Sequence, residues 1–162
     1  MVAMWMPMRL RMCRVVVAGA AVAVMAVGAG GFRIAPEADV VYRGHATLDG
    51  GRLGVWLETG NQGPSGVRDA TVRVRFSVPL AGVRELPPHC LWGGEREALC
   101  RTGVLRVGGS GRDFAFHLRA SGDPSEVVVR ISTAWNGGAT DRNPRNNEHE
   151  VLVPASGDGY FF

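Results

Sequence analysis

The feature that most constrains this chain is an alternation of apolar and polar residues with a period of two. In the clearest run, residues 70–78, apolar side chains alternate with Thr71, Arg73, Arg75 and Ser77. Successive side chains of a strand point to opposite faces, so this spacing predicts one buried and one solvent-exposed face. The same alternation predicts strands at residues 40–42, 53–57, 114–118, 127–133 and 151–153, with a short edge strand at 104–107.

Glycine, proline and asparagine cluster between these runs. These residues supply the special backbone angles of turns and weaken any helix that would cross them. About seven short strands separated by turns predict an all-β antiparallel sandwich, because each sheet must cover its apolar face with another. We predict one such domain at residues 40–154, with an irregular segment at 79–102 and a C-terminal tail at 155–162.

Residues 1–29 have the order of a secretory signal peptide. Three arginines precede the apolar run 15–27, and small residues follow it. We predict cleavage just before Gly30, a short linker over 30–39, export through the general secretory pathway and a secreted or extracellular location. The alternative is an uncleaved leader that anchors the protein, although a bilayer span needs about 20 apolar residues.

Charge is balanced once this leader is set aside. The chain has 18 arginines, no lysine and 15 acidic residues, and three of the arginines precede residue 15. The remaining chain is formally neutral, which argues against nucleic-acid binding driven by clustered positive charge. Arginine without lysine, together with abundant alanine, glycine and valine, is typical of a GC-rich bacterial genome.

Two cysteines, Cys90 and Cys100, lie after the leader, whereas Cys13 lies within it. An even pair in an oxidising compartment predicts a disulfide. Closing so short a loop stabilises a fold by about 2.5–3 kcal/mol in the chain-entropy account. A metal site is the alternative, but no histidine pair stands at zinc-finger spacing.

Five motifs follow one another in an order that is similar to a known family. They are Asn-Gln-Gly-Pro-Ser at 61–65, Leu-Pro at 86–87, the cysteine pair, Gly-Val-Leu at 103–105, and Asp-Arg-Asn-Pro-Arg-Asn-Asn at 141–147. This order resembles the bacterial conserved-repeat domain of unknown function number eleven and, more distantly, the cell-adhesion-related domain CARDB. The resemblance covers about residues 40–154. It implies an immunoglobulin-like sandwich of secreted and surface proteins that acts as a spacer or adhesion module without catalysis.

Three tryptophans, Trp56, Trp92 and Trp135, are candidates for a ligand or partner surface. Tryptophan buries a large area and usually packs in a core, but its ring also suits a sugar or a protein partner. Trp92 lies between the cysteines, so we regard the cysteine loop as the first place for such a surface.

Oxygen-bearing side chains concentrate at Asp141, Asn143 and Asn146, as calcium prefers. The segment lacks the glycine and the distal glutamate of an EF-hand loop, and Asp and Asn also bond their own backbone in turns. We therefore predict a structural turn and no metal or cofactor. The four histidines are widely spaced, which predicts isolated, solvated side chains: His45, His89, His117 and His149.

We therefore predict a non-enzymatic secreted or cell-surface bacterial module with a structural, adhesive or protein-interaction role. Its partner would be a protein or a cell-wall polysaccharide. The alternative is a small extracellular inhibitor or ligand-binding protein that uses the loop between Cys90 and Cys100. Ser65 lacks the Gly-x-Ser-x-Gly spacing of a nucleophile elbow.

Overall fold

The computed structural model describes residues 35–82 and 85–162, and these form an all-β protein. The predicted signal peptide, 1–29, and the first half of the predicted linker lie outside the described residues. Within these two segments, the one short helix is a 3₁₀ turn at Pro144–Asn146. The strands are β1 (Glu37–Ala38), β2 (Val40–Asp49), β3 (Arg52–Asn61), β4 (Thr71–Phe76), β5 (Cys90–Gly94), β6 (Glu97–Arg101), β7 (Phe114–Arg119), β8 (Glu126–Trp135), β9 (Thr140–Asp141), β10 (His149–Pro154) and β11 (Tyr160–Phe161).

Two antiparallel sheets contain nine of these strands. The five-stranded sheet has the order β10-β8-β4-β6-β5, and the four-stranded sheet has the order β11-β2-β3-β7. The remaining two strands, β1 and β9, form a small parallel pair. Buried residues from both main sheets form one hydrophobic cluster, so the two sheets share a core as in a sandwich.

The core follows the predicted alternation. Leu53, Val55 and Leu57 of β3 are buried, and the residues between them face away from the core. Phe116 of β7 meets Phe76 of β4 edge to face across the core, with the ring centroids 6.3 Å apart. The predicted inward faces of β4, β7, β8 and β10 are also buried, which confirms the assignment of faces along the long strands.

The hairpin between β2 and β3 fixes the register of the four-stranded sheet. Gly50 and Gly51 form its two-residue turn, and both adopt positive φ, as a turn matched to the strand twist requires. Ten residue pairs then align without interruption, from Asp49 opposite Arg52 to Val40 opposite Asn61.

Residues 79–102 are not irregular throughout, in contrast to the sequence prediction. They contain the hairpin β5–β6, in which Cys90 pairs directly opposite Cys100 and the two are joined by a disulfide. The strand β5 escapes the pattern because it is a short edge strand that ends in two glycines, so its alternation is incomplete. Conversely, the predicted edge strand at 104–107 reduces to one bridge between Leu105 and Val67.

The sheets also extend beyond the predicted limits of 40–154. Strand β1 lies in the predicted linker, and β11 lies in the predicted tail, where it pairs with β2. The described part of the chain contains eight strands of five or more residues, rather than about seven, and three further strands of two residues each. A two-residue strand is too short to show a period, so the sequence pattern does not reveal it.

The described segments 35–82 and 85–162 include no helix that is long and apolar enough to cross a membrane.

Candidate functional site

The structure does not bring the three candidate tryptophans together. Trp56 points outward from β3 in the four-stranded sheet and is 40% exposed. Trp92 packs against the core from β5, and Trp135 ends β8 and is 52% exposed. When the residue pairs are followed from Trp92 across β6 and β4, they lead to Ile131 of β8, which is four residues before Trp135. Strand spacing and rise then separate Trp92 from Trp135 by roughly 20 Å.

Trp56 instead belongs to a row that runs across its own sheet. On the outer face, Phe161 of β11 pairs opposite His45 of β2, which pairs opposite Trp56 of β3. The rings of His45 and Phe161 are tilted, with their centroids 5.5 Å apart. Phe161 is 81% exposed, and the indole Nε1 of Trp56 donates to the Glu58 carboxylate at 3.4 Å. We call Phe161, His45 and Trp56 the aromatic row.

A depression lies beside the aromatic row on the same outer face. Gly54 is two residues from Trp56 and pairs opposite Thr47 on one side and His117 on the other. Because Gly54 has no side chain, the sheet surface is low between its taller neighbours. The resulting cavity has a volume of about 400 Å³, and we call it the outer groove. Its polar lining consists of Thr47, Asp49, Arg52, His117 and Arg119.

The far end of the outer groove carries a surplus of positive charge. Arg52 pairs directly opposite Arg119. The backbone N–H and C=O of Arg52 point toward β2, and the Arg119 carbonyl points away from β3 and accepts from the Ala81 N–H. Arg52 and Arg119 therefore form a non-hydrogen-bonded pair, in which the side chains are closely spaced. Arg52 also approaches Asp49 at 3.4 Å. Among the described residues, Arg119 forms no ion pair.

On the outer face of the five-stranded sheet, by contrast, both facing arginines have ion-pair partners. Arg130 and Arg75 are also opposite each other, and each forms an ion pair, although Arg75 shares Glu97 with Arg73. Arg130 donates to Glu150 at 2.8 Å, and Arg75 donates to Glu97 at 2.5 Å. The hydrogen bond from Arg130 lowers the pKa of Glu150 and raises the pKa of Arg130.

The loop between Cys90 and Cys100 is a closed β-hairpin at the edge of the five-stranded sheet. Cys100 is fully buried, and Trp92 faces the core beside it. On the opposite face of β5, Leu91 is 60% exposed. The segment that we expected to be an irregular reactive loop therefore has regular pairing and one exposed apolar side chain.

The Asp141 segment forms a structural corner. The Asp141 carboxylate accepts from the backbone N–H of Asn143 at 2.9 Å, from that of Val40 at 3.1 Å and from the Asn147 amide at 2.7 Å. The Asn146 amide donates to Asp39 at 2.7 Å. These bonds tie the 3₁₀ turn to the start of β2. In the described part of the chain, no group of three or more histidine, cysteine, aspartate or glutamate side chains is placed to hold a metal ion.

The chain matches no protein-family model, no curated protein and no solved structure. The resemblance to the conserved-repeat domain therefore stays a prediction.

Two of the four histidines differ from the expected isolated, solvated side chains, whereas His89 is exposed as predicted. His45 is half-buried in the aromatic row. His149 is half-buried, with its Nε2 3.1 Å from the Tyr42 carbonyl oxygen and its ring 5.3 Å from that of Phe162. His117 is exposed, as predicted, but it lines the outer groove.

Sequence reasoning selected Trp56 but missed the groups around it. His45, Gly54, Arg119 and Phe161 all lie at outward positions, and alternation identifies such positions in β2, β3 and β7. Alternation does not say which outward positions are neighbours, because that depends on strand order and register. The aromatic row and the outer groove are products of that register.

Proposed function

We propose that this protein is a non-enzymatic secreted or cell-surface bacterial module that binds its partner through the outer face of the four-stranded sheet. The aromatic row is the observation that carries this proposal. Exposed aromatic side chains that lie together on one face are typical of interaction surfaces, whereas scattered ones need no explanation. Phe161 and Trp56 are both substantially exposed, and His45 bridges them in the register.

Two features, one of the sequence and one of the structure, support the proposed export. The first 29 residues have the charge and hydropathy order of a signal peptide. The Cys90–Cys100 disulfide is the kind of bond that persists in oxidising compartments. Two antiparallel sheets with a shared core are also compatible with the immunoglobulin-like fold that the resemblance implies, and we propose that assignment.

The buried polar groups support a structural rather than a catalytic use of the chain's acids and amides. Asp69 is buried, accepts from the Gly103 backbone N–H at 2.9 Å and forms an ion pair with Arg101. Asn61 is buried and accepts from the backbone N–H groups of Asp39 and Gly63. Both side chains hold loops against strands, so their hydrogen-bonding capacity is used in the fold.

The inhibitor hypothesis has one specific observation in its favour. Leu91 is a large exposed apolar side chain on a disulfide-bonded hairpin at a sheet edge. Such a hairpin could present Leu91 to a partner with little loss of conformational entropy on binding. We retain it as the second proposal.

A pull-down from the culture of the producing organism separates the two proposals. The bait is the protein from residue 30 onward, compared with its Trp56→Ala and Leu91→Ala variants. We expect the wild type and Leu91→Ala to retain the same partner and Trp56→Ala to lose it. Loss with Leu91→Ala alone would favour the hairpin. Equal retention by both variants would overturn both surfaces.

A further inference from the structure

The outer groove has the composition of a sugar site when it is taken together with Trp56, which lies beside it and is not one of its lining residues. A pyranose ring has a face of C–H groups and a rim of hydroxyl groups, so it needs an aromatic face together with polar side chains. Trp56 supplies the ring beside the groove, while the Thr47 hydroxyl and the His117 imidazole stand on opposite sides of Gly54. The groove is an open depression of about 400 Å³ on the sheet surface, which suits a ligand that lies along the sheet.

The positive charge at the far end of the groove indicates which class of sugar it would bind. Two guanidinium groups that face each other in a non-hydrogen-bonded pair repel each other. Asp49 offsets one of the two charges, which leaves a net positive end. A carboxylate bound between Arg52 and Arg119 would relieve the repulsion and would fit the planar fork of a guanidinium.

The opposite face of the molecule shows that paired arginines do not by themselves create this site. Arg75 and Arg130 also face each other, but both already form ion pairs, Arg75 with Glu97, which Arg73 shares, and Arg130 with Glu150. Among the described residues, Asp49 pairs with Arg52 and no carboxylate pairs with Arg119, so an external carboxylate would give Arg119 a partner.

Resting on the proposed function, we propose that the outer groove binds a glycan that contains uronic acid residues. One sugar ring stacks beside Trp56 above Gly54, and a carboxylate of the chain lies between Arg52 and Arg119. The aromatic row continues from Trp56 through His45 to Phe161, which gives the glycan chain a path across the sheet.

Calorimetric titration with trigalacturonate tests this assignment, with its methyl ester as the matched neutral ligand. The wild type is expected to bind the acid more tightly than the ester, with an affinity that falls as salt concentration rises. Trp56→Ala is expected to weaken binding of both ligands by about tenfold, because it removes the stacking face. Arg119→Gln is expected to weaken binding of the acid by about tenfold while leaving the ester unchanged.

Two variants on the other sheet serve as controls. Trp135→Ala removes an exposed indole, and Arg130→Gln removes one of two facing arginines, so both are expected to leave the affinity unchanged. Gly54→Val is a further test, because its side chain would fill the depression. Its Cβ would lie 2.9 Å from the Thr47 hydroxyl oxygen, which must turn away, and would meet no other atom within 4 Å. It is expected to abolish binding with the fold intact by circular dichroism.

Absence of binding by the acid, equal affinity for acid and ester, or equal losses in the control variants would each overturn the inference. The proposed function is tested separately, by the pull-down. If Trp56→Ala loses the cellular partner while trigalacturonate does not bind, the face is correct and the ligand class is wrong. A protein recovered in that pull-down would then be the occupant.

Discussion

Phe116 and His117 are chain neighbours with opposite environments. Phe116 is buried against Phe76, whereas His117 lies on the solvent face. We expect Phe116→Ala to lower the free energy of unfolding by about 3–5 kcal/mol, because it leaves a cavity. His117→Ala should change it by no more than about 0.5 kcal/mol. Denaturant unfolding of both variants checks this, and the reverse order of effects would contradict the face assignment of β7.

Tyr42 makes stability depend on pH in the alkaline range. It is buried in the core, and its hydroxyl is 2.9 Å from that of Thr133. Burial raises the pKa of Tyr42 from 10.0 to about 12, despite the opposing hydrogen bond to Thr133. The unfolded chain therefore loses this proton first, and the stability that the neutral phenol contributes is complete below pH 10 and lost as pH rises toward 12.

We expect the free energy of unfolding to fall by up to about 1.4 kcal/mol per pH unit across that window because of Tyr42. Tyr42→Phe keeps the ring and removes the titrating group. Unfolding curves of both proteins at several alkaline pH values isolate the contribution, because the other titrating groups are common to both. Parallel pH profiles for the two proteins would refute it.

At the scale of elements, Gly44 permits the close packing of three strands. A Cβ there would collide with the Trp56 carbonyl oxygen of β3 and would lie 2.9 Å from the ring of Phe162, which follows β11. We expect Gly44→Ala to destabilise the protein by about 1–3 kcal/mol through overpacking. Gly94→Ala is the control, because a Cβ at Gly94 meets nothing within 4 Å. Thermal unfolding that shows equal changes in the two variants would argue against this packing.

The disulfide holds an element that has a neighbour on one side only. Strand β5 pairs with β6 and ends its sheet, and Cys90–Cys100 closes a separation of 10 residues. We expect replacement of both cysteines by alanine to lower the free energy of unfolding by about 2.5–3 kcal/mol. Hydrogen exchange should accelerate in β5 and β6 more than in β8. Uniform acceleration across the sheet would show that the bond does not act locally.

Sequence alternation predicted the elements that are long and half-buried, because burial of one face imposes the period directly. Leu53–Leu57 and Phe114–Leu118 were therefore assigned to the correct faces. The strand β5 was missed because Gly93 and Gly94 carry no polarity signal. The candidate site was predictable only in Trp56. Its neighbours Phe161 and Arg119 reach it through register, which depends on contacts far apart in the sequence.

At the scale of the whole molecule, the balance of charge agrees with the proposed removal of the leader during export. If residues 1–29 are removed, the remaining chain has as many arginines as acids. We expect intact-mass analysis of culture supernatant to give a protein that begins near Gly30. Two controls are the cell-associated fraction and a variant with Arg9, Arg11 and Arg14 replaced by glutamine, which should reduce export. Secreted material that retains Met1 or Met8 would contradict cleavage.

The position of β11 has a mechanical consequence. Phe162 bonds to Gly44, which is only four residues beyond Val40 at the start of β2, and the two strands run antiparallel. Tension between residues 40 and 162 would therefore act at one pole of the sandwich. It would break the two Gly44–Phe162 backbone hydrogen bonds first and then those of the next residue pair, one after another, instead of loading all of them at once. This geometry gives less resistance to tension between those two residues than a shearing geometry would.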